Sequence, residues 1–382
     1  MTSALWLLWI HLSAASELTL EEVLARVAEQ PGVEAAVADV SAADAAVRAA
    51  RAIDNPQLRM GVDQLARRLE APGAALAVRI PIPRPWDELG ELRVARAELA
   101  AVEGLGLLVR DEAARAAAGR FVDAYEADRV AQAHAAAAEA WRGVLAQTEA
   151  RRAEGLADAV DVARARTDVA RAEADARLAR AEADGARAAL LALQGLRDAP
   201  PLADPGEAPL PPTAAQAGDA AISRVAPWRE AVEDGAAASH AALRLAEVPW
   251  FDWLEVQPAG ADALELRVAL RVPLWAWGTA PAQEAAAELE AERARTDEVL
   301  LTLRADVEAA WHAVAGARGA WEALRAAADE TLAASAGASP FLAPAVAAEA
   351  ADLAARAAEA RRTWRVAAWE LAATVGLLTP AQ

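Results

Sequence analysis

The sequence has no cysteine, and that absence removes disulfides, thiolate metal sites and lipid attachment at an N-terminal Cys. Histidine occurs at His11, His134, His240 and His312, spaced too widely for a local ligand pair. Only three Phe, one Tyr and two Met are present, so the 55% hydrophobic fraction is carried by alanine. Alanine stripes suit close helix–helix contact better than a bulky globular centre. The sequence shows no Ser-His-Asp or Cys-His constellation, no glycine-rich phosphate loop and no cluster of metal ligands, so no catalytic residue, cofactor or metal is expected. The 38 Lys and Arg are outnumbered by 57 Asp and Glu, a formal charge of −19. Such a balance argues against a nucleic-acid surface or adhesion to an anionic bilayer. Nor is there an uncharged run of the about eighteen apolar residues that a membrane-spanning helix requires.

Against this background thirteen Trp stand out. The first segment, MTSALWLLWIHLSAASE, has an apolar run from Ala4 to Leu12 followed by Ser13-Ala14-Ala15, which fits the small-x-small cleavage rule. Residues 1–15 are therefore read as a signal peptide, although neither Lys nor Arg precedes the run.

Periodicity then divides the chain twice in the same way. From Leu20 to Ile53 the pattern predicts a short helix, a Pro31-Gly32 break and a second amphipathic helix. Leu58, Met60 and Val62 then alternate with polar neighbours, and after Pro72-Gly73 so do Leu76, Val78 and Ile80, which predicts a hairpin over 57–82. A long helix follows, its seven-residue spacing (Leu92, Leu99, Gly106) matching a coiled-coil seam. Roughly 64 residues at 1.5 Å each give a rod about 95 Å long. A break at Glu154-Gly155 leads to a shorter return helix ending near Gly195. After a Pro-rich linker over 199–213, the order repeats over 214–382: helix, hairpin over 250–273, long helix, a break over 335–342, return helix. Two structural repeats, 16–198 and 214–382, are expected.

The strand before Pro273 carries the chemistry. Leu264, Leu266, Val268, Leu270 and Val272 occupy one face, with Glu265, Arg267 and Arg271 on the other. A two-strand hairpin is marginal in water, so some other surface must cover these leucines. The strand has the roughly 9–11 residues of a tilted membrane strand, and a charged inner face suits a water-filled lumen. Trp86, Trp250, Trp253, Trp275 and Trp277 bracket the hairpins where an aromatic belt would lie. Four strands leave edges that lipid does not tolerate, so copies of the chain would pool their strands; two copies make a barrel of about eight strands, filled by side chains, and three leave a passage.

Four stretches in order carry a resemblance: LTLEEVLARVAEQPGVEAAVADVSAADAAVRAARAIDNPQL, RIPIPRPWDELGELRVARAELAAVE, EARRAEGLADAVDVARARTDVARAEADARLARAEADGARAALLALQG and LRVPLWAWGTAPAQEAAAELEAE. Together they resemble the outer-membrane factors, or TolC-like family, of tripartite efflux systems, with the short chain closest to the heavy-metal efflux branch. The resemblance implies a mainly α fold with a small β part: duplicated coiled-coil hairpins forming an α-barrel, and two β-hairpins lending four strands to an oligomeric transmembrane barrel. It implies a homotrimer, a passive duct in the outer membrane of a Gram-negative bacterium reaching through the periplasm. Its partners would be a periplasmic adaptor, an inner-membrane transporter and outer-membrane lipid.

In that family the helical tips dock the adaptor. Here they would be Arg151, Arg152, Glu154, Gly155 and Leu156, with Gly337, Pro340 and Phe341. The first tip keeps the Arg and Gly of the family's arginine-aromatic-x-x-glycine pattern but has no aromatic between them. Asp158 and Asp161, three residues apart on one face, are expected to form an acidic ring at the entrance, or else a solvated helix face. The second tip lacks Arg, and Pro340 and Pro344 are expected to interrupt the start of its helix. A soluble periplasmic coiled-coil scaffold or adaptor is the competing reading; it explains the heptads and the negative charge, but not strands so purely apolar on one face.

Overall fold

The computed structural model describes residues 17–51, 57–62, 74–81, 85–197, 200–246, 250–258, 264–271 and 280–378. The expected signal peptide, Val272, Trp275 and Trp277 lie outside them. The elements run α1 (Leu20–Ala25), a 3₁₀ turn (Arg26–Glu29), α2 (Pro31–Ala49), β1 (Gln57–Val62), β2 (Ala74–Pro81), α3 (Pro85–Ala153) and α4 (Ala159–Gln194). Then come α5 (Ala214–Ala246), β3 (Trp250–Pro258), β4 (Leu264–Arg271), α6 (Ala280–Gly337) and α7 (Ala343–Thr374). The same order of helix, hairpin, long helix and return helix thus occurs twice.

Local chemistry places the boundaries. Thr19 and Glu22 cap each other's backbone N–H groups at the start of α1. Pro31 does not break a helix but opens α2, and Pro85 opens α3, at positions where no intrahelical donor is needed. Gly195, at φ +63°, ends α4 in the left-handed conformation. The 69 residues of α3 contain no interior proline, which permits so long a helix.

The chain forms two compact units, and both repeats contribute to each. The first comprises Met1–Glu34, Leu108–Arg224 and Thr302–Gln382; the second comprises Ala35–Leu107 and Val225–Leu301. The core of the first is built from α1, α3, α4 and α7 around Val23, Phe121, Val122 and Leu190, with alanines such as Ala117, Ala186 and Ala372 filling the close approaches. Trp321 of α6 stacks on Trp364 of α7 with centroids 4.9 Å apart, giving bulk where alanine cannot.

The Pro-rich segment is ordered against this core. Leu18 N–H donates to the Pro201 carbonyl at 2.8 Å, and Ala203 N–H donates to the Leu18 carbonyl at 3.0 Å. Arg187 reaches the Pro200 carbonyl at 2.7 Å, and the Trp311 indole donates to the Pro211 carbonyl at 3.0 Å. At its centre Arg365, 5% exposed, is bonded to Glu126, which is 1% exposed. The same guanidinium donates to Asp204 at 2.9 Å and to the Gly206 carbonyl. Partial burial pushes the Asp204 carboxyl upward, but the hydrogen bonds from Arg365 and Gly206 N–H prevail and hold it below its ordinary value. Asp204 therefore adds stability that is present above the usual carboxylate range and is lost as the pH falls through it.

The second unit is a pair of hairpins joined into one four-stranded antiparallel sheet, in the order β1-β2-β3-β4, with its helical segments. Gly104 of α3 lets Trp228 of α5 approach so closely that a Cβ there would lie 2.7 Å from the Trp228 Cβ.

The buried ion pair yields a measurable expectation. Arg365→Met leaves Glu126 charged and without its closest cation, and should cost about 3–5 kcal/mol of stability. Combining it with Glu126→Leu should recover most of that loss, as followed by thermal denaturation of the purified protein monitored by helical circular dichroism.

Candidate functional site: an inverted sheet and a pair of helical tips

Register determines what the sheet can do. Val78 pairs with Val256, and Val256 with Leu266; Ile80 pairs with Leu254, and Leu254 with Val268. One face is therefore a continuous apolar band across β2, β3 and β4, and Leu58 and Met60 of β1 extend it by pairing with Val78 and Leu76. This band is exposed: Leu266 by 64%, Val268 by 48%, Phe251 by 46% and Ile80 by 41%. Leu264 and Leu270 hold the matching register positions, opposite Pro258 and Phe251.

The opposite face is charged, with Glu255 buried, Arg79 half-buried and Arg267 exposed. Arg79 Nε and Nη2 each lie 3.1 Å from Glu255 Oε2, and Glu255 is only 7% exposed. The Arg79 guanidinium also sits 3.8 Å from the centre of the Trp253 ring, a cation–π contact that holds the ion pair flat against the sheet. Glu255 is opposite Arg267, Gln257 opposite Glu265, and Trp250 opposite Arg271. A water-soluble sheet buries its apolar face; this one leaves Leu266, Val268, Phe251 and Ile80 exposed while burying Glu255.

One tryptophan of the expected belt, Trp253, lies against Arg79. A bulge between Phe251 and Trp253 shifts the register by one residue, and such a slip transfers every following side chain to the other face. Trp253 lies with Arg79 and Glu255 on the charged face, two residues from Glu255 along the strand, and it is Phe251 that the bulge carries over to the exposed apolar face. Trp86 is the second residue of α3, and Trp250 is the first of β3.

The tips of the long helices lie in the first unit. The α3 helix ends in a Schellman turn, with Leu156 N–H donating to the Arg151 carbonyl at 2.8 Å and Gly155 N–H to the Arg152 carbonyl at 3.0 Å. Gly155 adopts φ +77° there, which a side chain would strain. Arg152, Glu154 and Leu156 are exposed. Arg151 donates to the Leu156 carbonyl at 3.3 Å, and its guanidinium lies 5.1 Å from the ring centre of Phe341 in the second tip. Gln147 Nε2 donates to the Pro340 carbonyl at 3.1 Å. The two tips therefore touch, with Arg151 lying over Phe341. Only one hint of this was present in the sequence: Phe341 is one of three phenylalanines and stands in a loop.

The second tip also departs from expectation. Pro344 falls within the first turn of α7, where its missing N–H has no partner to lose, so it does not interrupt the helix. Pro340 lies in the turn between α6 and α7, after Gly337.

Asp158 and Asp161 perform a local task. Asp158 Oδ1 accepts from Val160 N–H at 2.7 Å and Asp161 N–H at 2.8 Å, while Asp161 Oδ2 accepts from Asp158 N–H at 3.1 Å. This is a capping box that starts α4, a role the spacing of three already encoded. Both carboxylates are nevertheless exposed. Among the described residues, no group of three or more His, Asp or Glu is placed to hold a metal ion, and no helix is long and apolar enough to cross a membrane.

The whole arrangement has solved counterparts. CusC, studied for conformational changes accompanying folding and transmembrane channel formation, matches with a TM-score of 0.75 at 14% identity, over 94% of this chain and 92% of that one. VceC, an outer membrane protein from the bacterial pathogen Vibrio cholerae, gives 0.69 at 19% identity, over 94% and 96%. The MtrE outer membrane channel of Neisseria gonorrhoeae, in its open state, gives 0.65 at 18% identity, over 94% and 88%. No protein-family model matches the sequence, and no curated protein matches it. The likeness establishes the fold: long helical hairpins and a small four-stranded sheet, arranged as in outer-membrane channel proteins.

The capping box can be tested alone. Asp158→Ala should destabilise the start of α4 by about 1 kcal/mol, and Asp158→Asn by much less. Hydrogen exchange at the amides of Val160 and Asp161 should accelerate in the first variant and change little in the second.

Proposed function

We propose that this chain is the outer-membrane component of a tripartite efflux or export system, a passive duct that crosses the outer membrane and extends into the periplasm. Three copies would pool their strands into a closed barrel of about twelve, and their long helices would continue the conduit. A periplasmic adaptor would dock at the tips around Arg151, Gly155 and Phe341, and an inner-membrane transporter would supply the energy.

One observation carries the reading: the sheet exposes its leucines and valines while sheltering an Arg–Glu pair. Water cannot be the medium of such a face at low cost, because apolar surface is penalised by roughly 25 cal/mol per Å². A bilayer removes that penalty, yet it forbids unpaired backbone edges. The strands β1 and β4 end the sheet, so further strands must cover them, and copies of the same chain supply these by edge-to-edge pairing. The fold shared with CusC, VceC and MtrE supports the same conclusion.

Separation of inner and outer membranes on a density gradient, after expression in a Gram-negative host, tests the proposal. The protein should sediment with the outer membrane. Leu266→Arg should leave it unassembled, since such a charge on the lipid face costs up to about 2–4 kcal/mol per copy at mid-bilayer, while Glu265→Gln should assemble normally. A folded protein remaining in the soluble fraction, or equal tolerance of both substitutions, would reject the duct.

A further inference from the structure

A groove of about 420 Å³ runs between α3 and α5 within the second unit. Of the nine described residues that line it, six are alanines, and the other three are Arg93, Arg96 and Asp234. The two helices touch at Gly235, where an added Cβ would lie 3.3 Å from the Ala97 Cβ. Ala97 and Ala231 are buried and form the floor, while Arg93, Arg96 and Asp234 are exposed at the rim. Because each alanine ends at its Cβ, the contact leaves open space beside it.

The charges at this rim are uncompensated. Elsewhere on the long helices an arginine finds a carboxylate one turn away, as Arg115 does in Glu112, Arg142 in Glu139 and Arg318 in Glu322. Among the described residues, neither Arg93 nor Arg96 has an ion-pair, hydrogen-bond or ring partner, and Asp234 has none either. A spacing of three places the two arginines on one face of α3, where they repel each other. Glu91 and Glu98, each two residues from the nearer arginine, stand on another face of the helix. The groove is therefore bordered by two unpaired guanidiniums on α3 and one carboxylate on the facing wall of α5.

We infer that this groove binds a small soluble amphipathic anion, an apolar ring system or short chain carrying a single sulfonate, phosphate or carboxylate. The guanidiniums offer planar donor forks to the anionic head, and the alanine walls take the apolar body out of water. The volume falls within the range of about 300–1,000 Å³ found for small-molecule sites. At about 30 Å³ per water it equals about fourteen waters, which is room for a bicyclic aromatic and too little for a two-chain lipid. A bare inorganic anion would satisfy the guanidiniums but leave the alanines wet. Asp234 opposes a second negative charge at the far wall, so a ligand charged at one end fits better than one charged at both.

The site belongs to a single chain. On one side α2 packs on α3, with Val40 Cγ2 3.9 Å and Ala36 Cβ 4.0 Å from a Cβ built at Gly106; on the other, Arg229 ties α5 to Asp297 of α6 at 2.8 Å. The strands that the duct reading pairs between copies, β1 and β4, connect to α2 and α6, so that pairing does not involve the groove. The inference goes beyond the duct reading and does not depend on it.

The test is isothermal titration calorimetry of the purified protein in a neutral maltoside detergent with naphthalene-2-sulfonate, protein-free detergent giving the background. Saturable binding at one site per chain is expected. Arg93→Gln combined with Arg96→Gln should weaken it about tenfold or more, the loss expected when charge-assisted hydrogen bonds are removed. Both positions are exposed, so the helical circular dichroism should not change. Ala238→Leu, which fills the groove and keeps both guanidiniums, should also weaken binding, and inorganic sulfate should bind far more weakly than the sulfonate. Wild-type heats no greater than background, an affinity unmoved by the double Gln variant, or sulfate binding as tightly as the sulfonate would each overturn the site. All three results leave the duct reading standing, because that reading is decided by sedimentation with the outer membrane.

Discussion

The arrangement depends on one contradiction in solvation: a sheet whose exposed face is apolar and whose backbone edges are open. Water penalises the first and lipid the second. No rearrangement within one chain removes both penalties, because four strands of this length cannot close on themselves. Pairing between copies does remove both, since each edge finds a partner and the apolar band then faces hydrocarbon. The oligomer proposed above would therefore be a consequence of the sheet and not an addition to it.

The alanine-rich helices follow a different economy. With few bulky side chains, stability comes from close backbone approach, as at Gly104 against Trp228 and Gly119 against Glu370, and from a few large groups in selected places. The buried Arg365 fastens α3, α7 and the Pro-rich segment through Glu126, Asp204 and the Gly206 carbonyl. A segment that reads as a linker is thereby made part of the core. The Arg365 charge is costly to bury, but its several partners satisfy the guanidinium in three directions, which specifies one seating for the segment.

At the tips the same principle is applied with fewer contacts. The Schellman turn at Gly155 and the capping box of Asp158 and Asp161 define the geometry of the first tip by hydrogen bonds to its own backbone. The second tip, with two prolines and no arginine, borrows its partner from the first through Arg151 and Phe341. The two tips are thereby held against each other, Arg151 on Phe341 and Gln147 on the Pro340 carbonyl. The exposed Leu156 and Phe341 leave an apolar surface there, suited to the adaptor proposed to bind it.

Much of this architecture was legible in the amino-acid order because it depends on period and local chemistry. The strict alternation from Leu264 to Arg271 defined a strand and its two faces; the proline and glycine positions bracketed the helices to within a few residues; the absence of Cys and of clustered His, Asp and Glu argued against metal chemistry. What the order could not convey were contacts between residues far apart along the chain. The seating of Trp253 beside Arg79 depends on pairing with a strand more than a hundred residues away, and the one-residue slip beside Phe251 is invisible to alternation. The stacking of Arg151 on Phe341, the seating of Asp204 on Arg365 and the cancellation of Glu255 by Arg79 are of the same kind. Local periodicity determined which elements form and which faces they present; only the tertiary structure decided which charges are neutralised and which remain, because that is settled by distance in space, on which the chain order is silent.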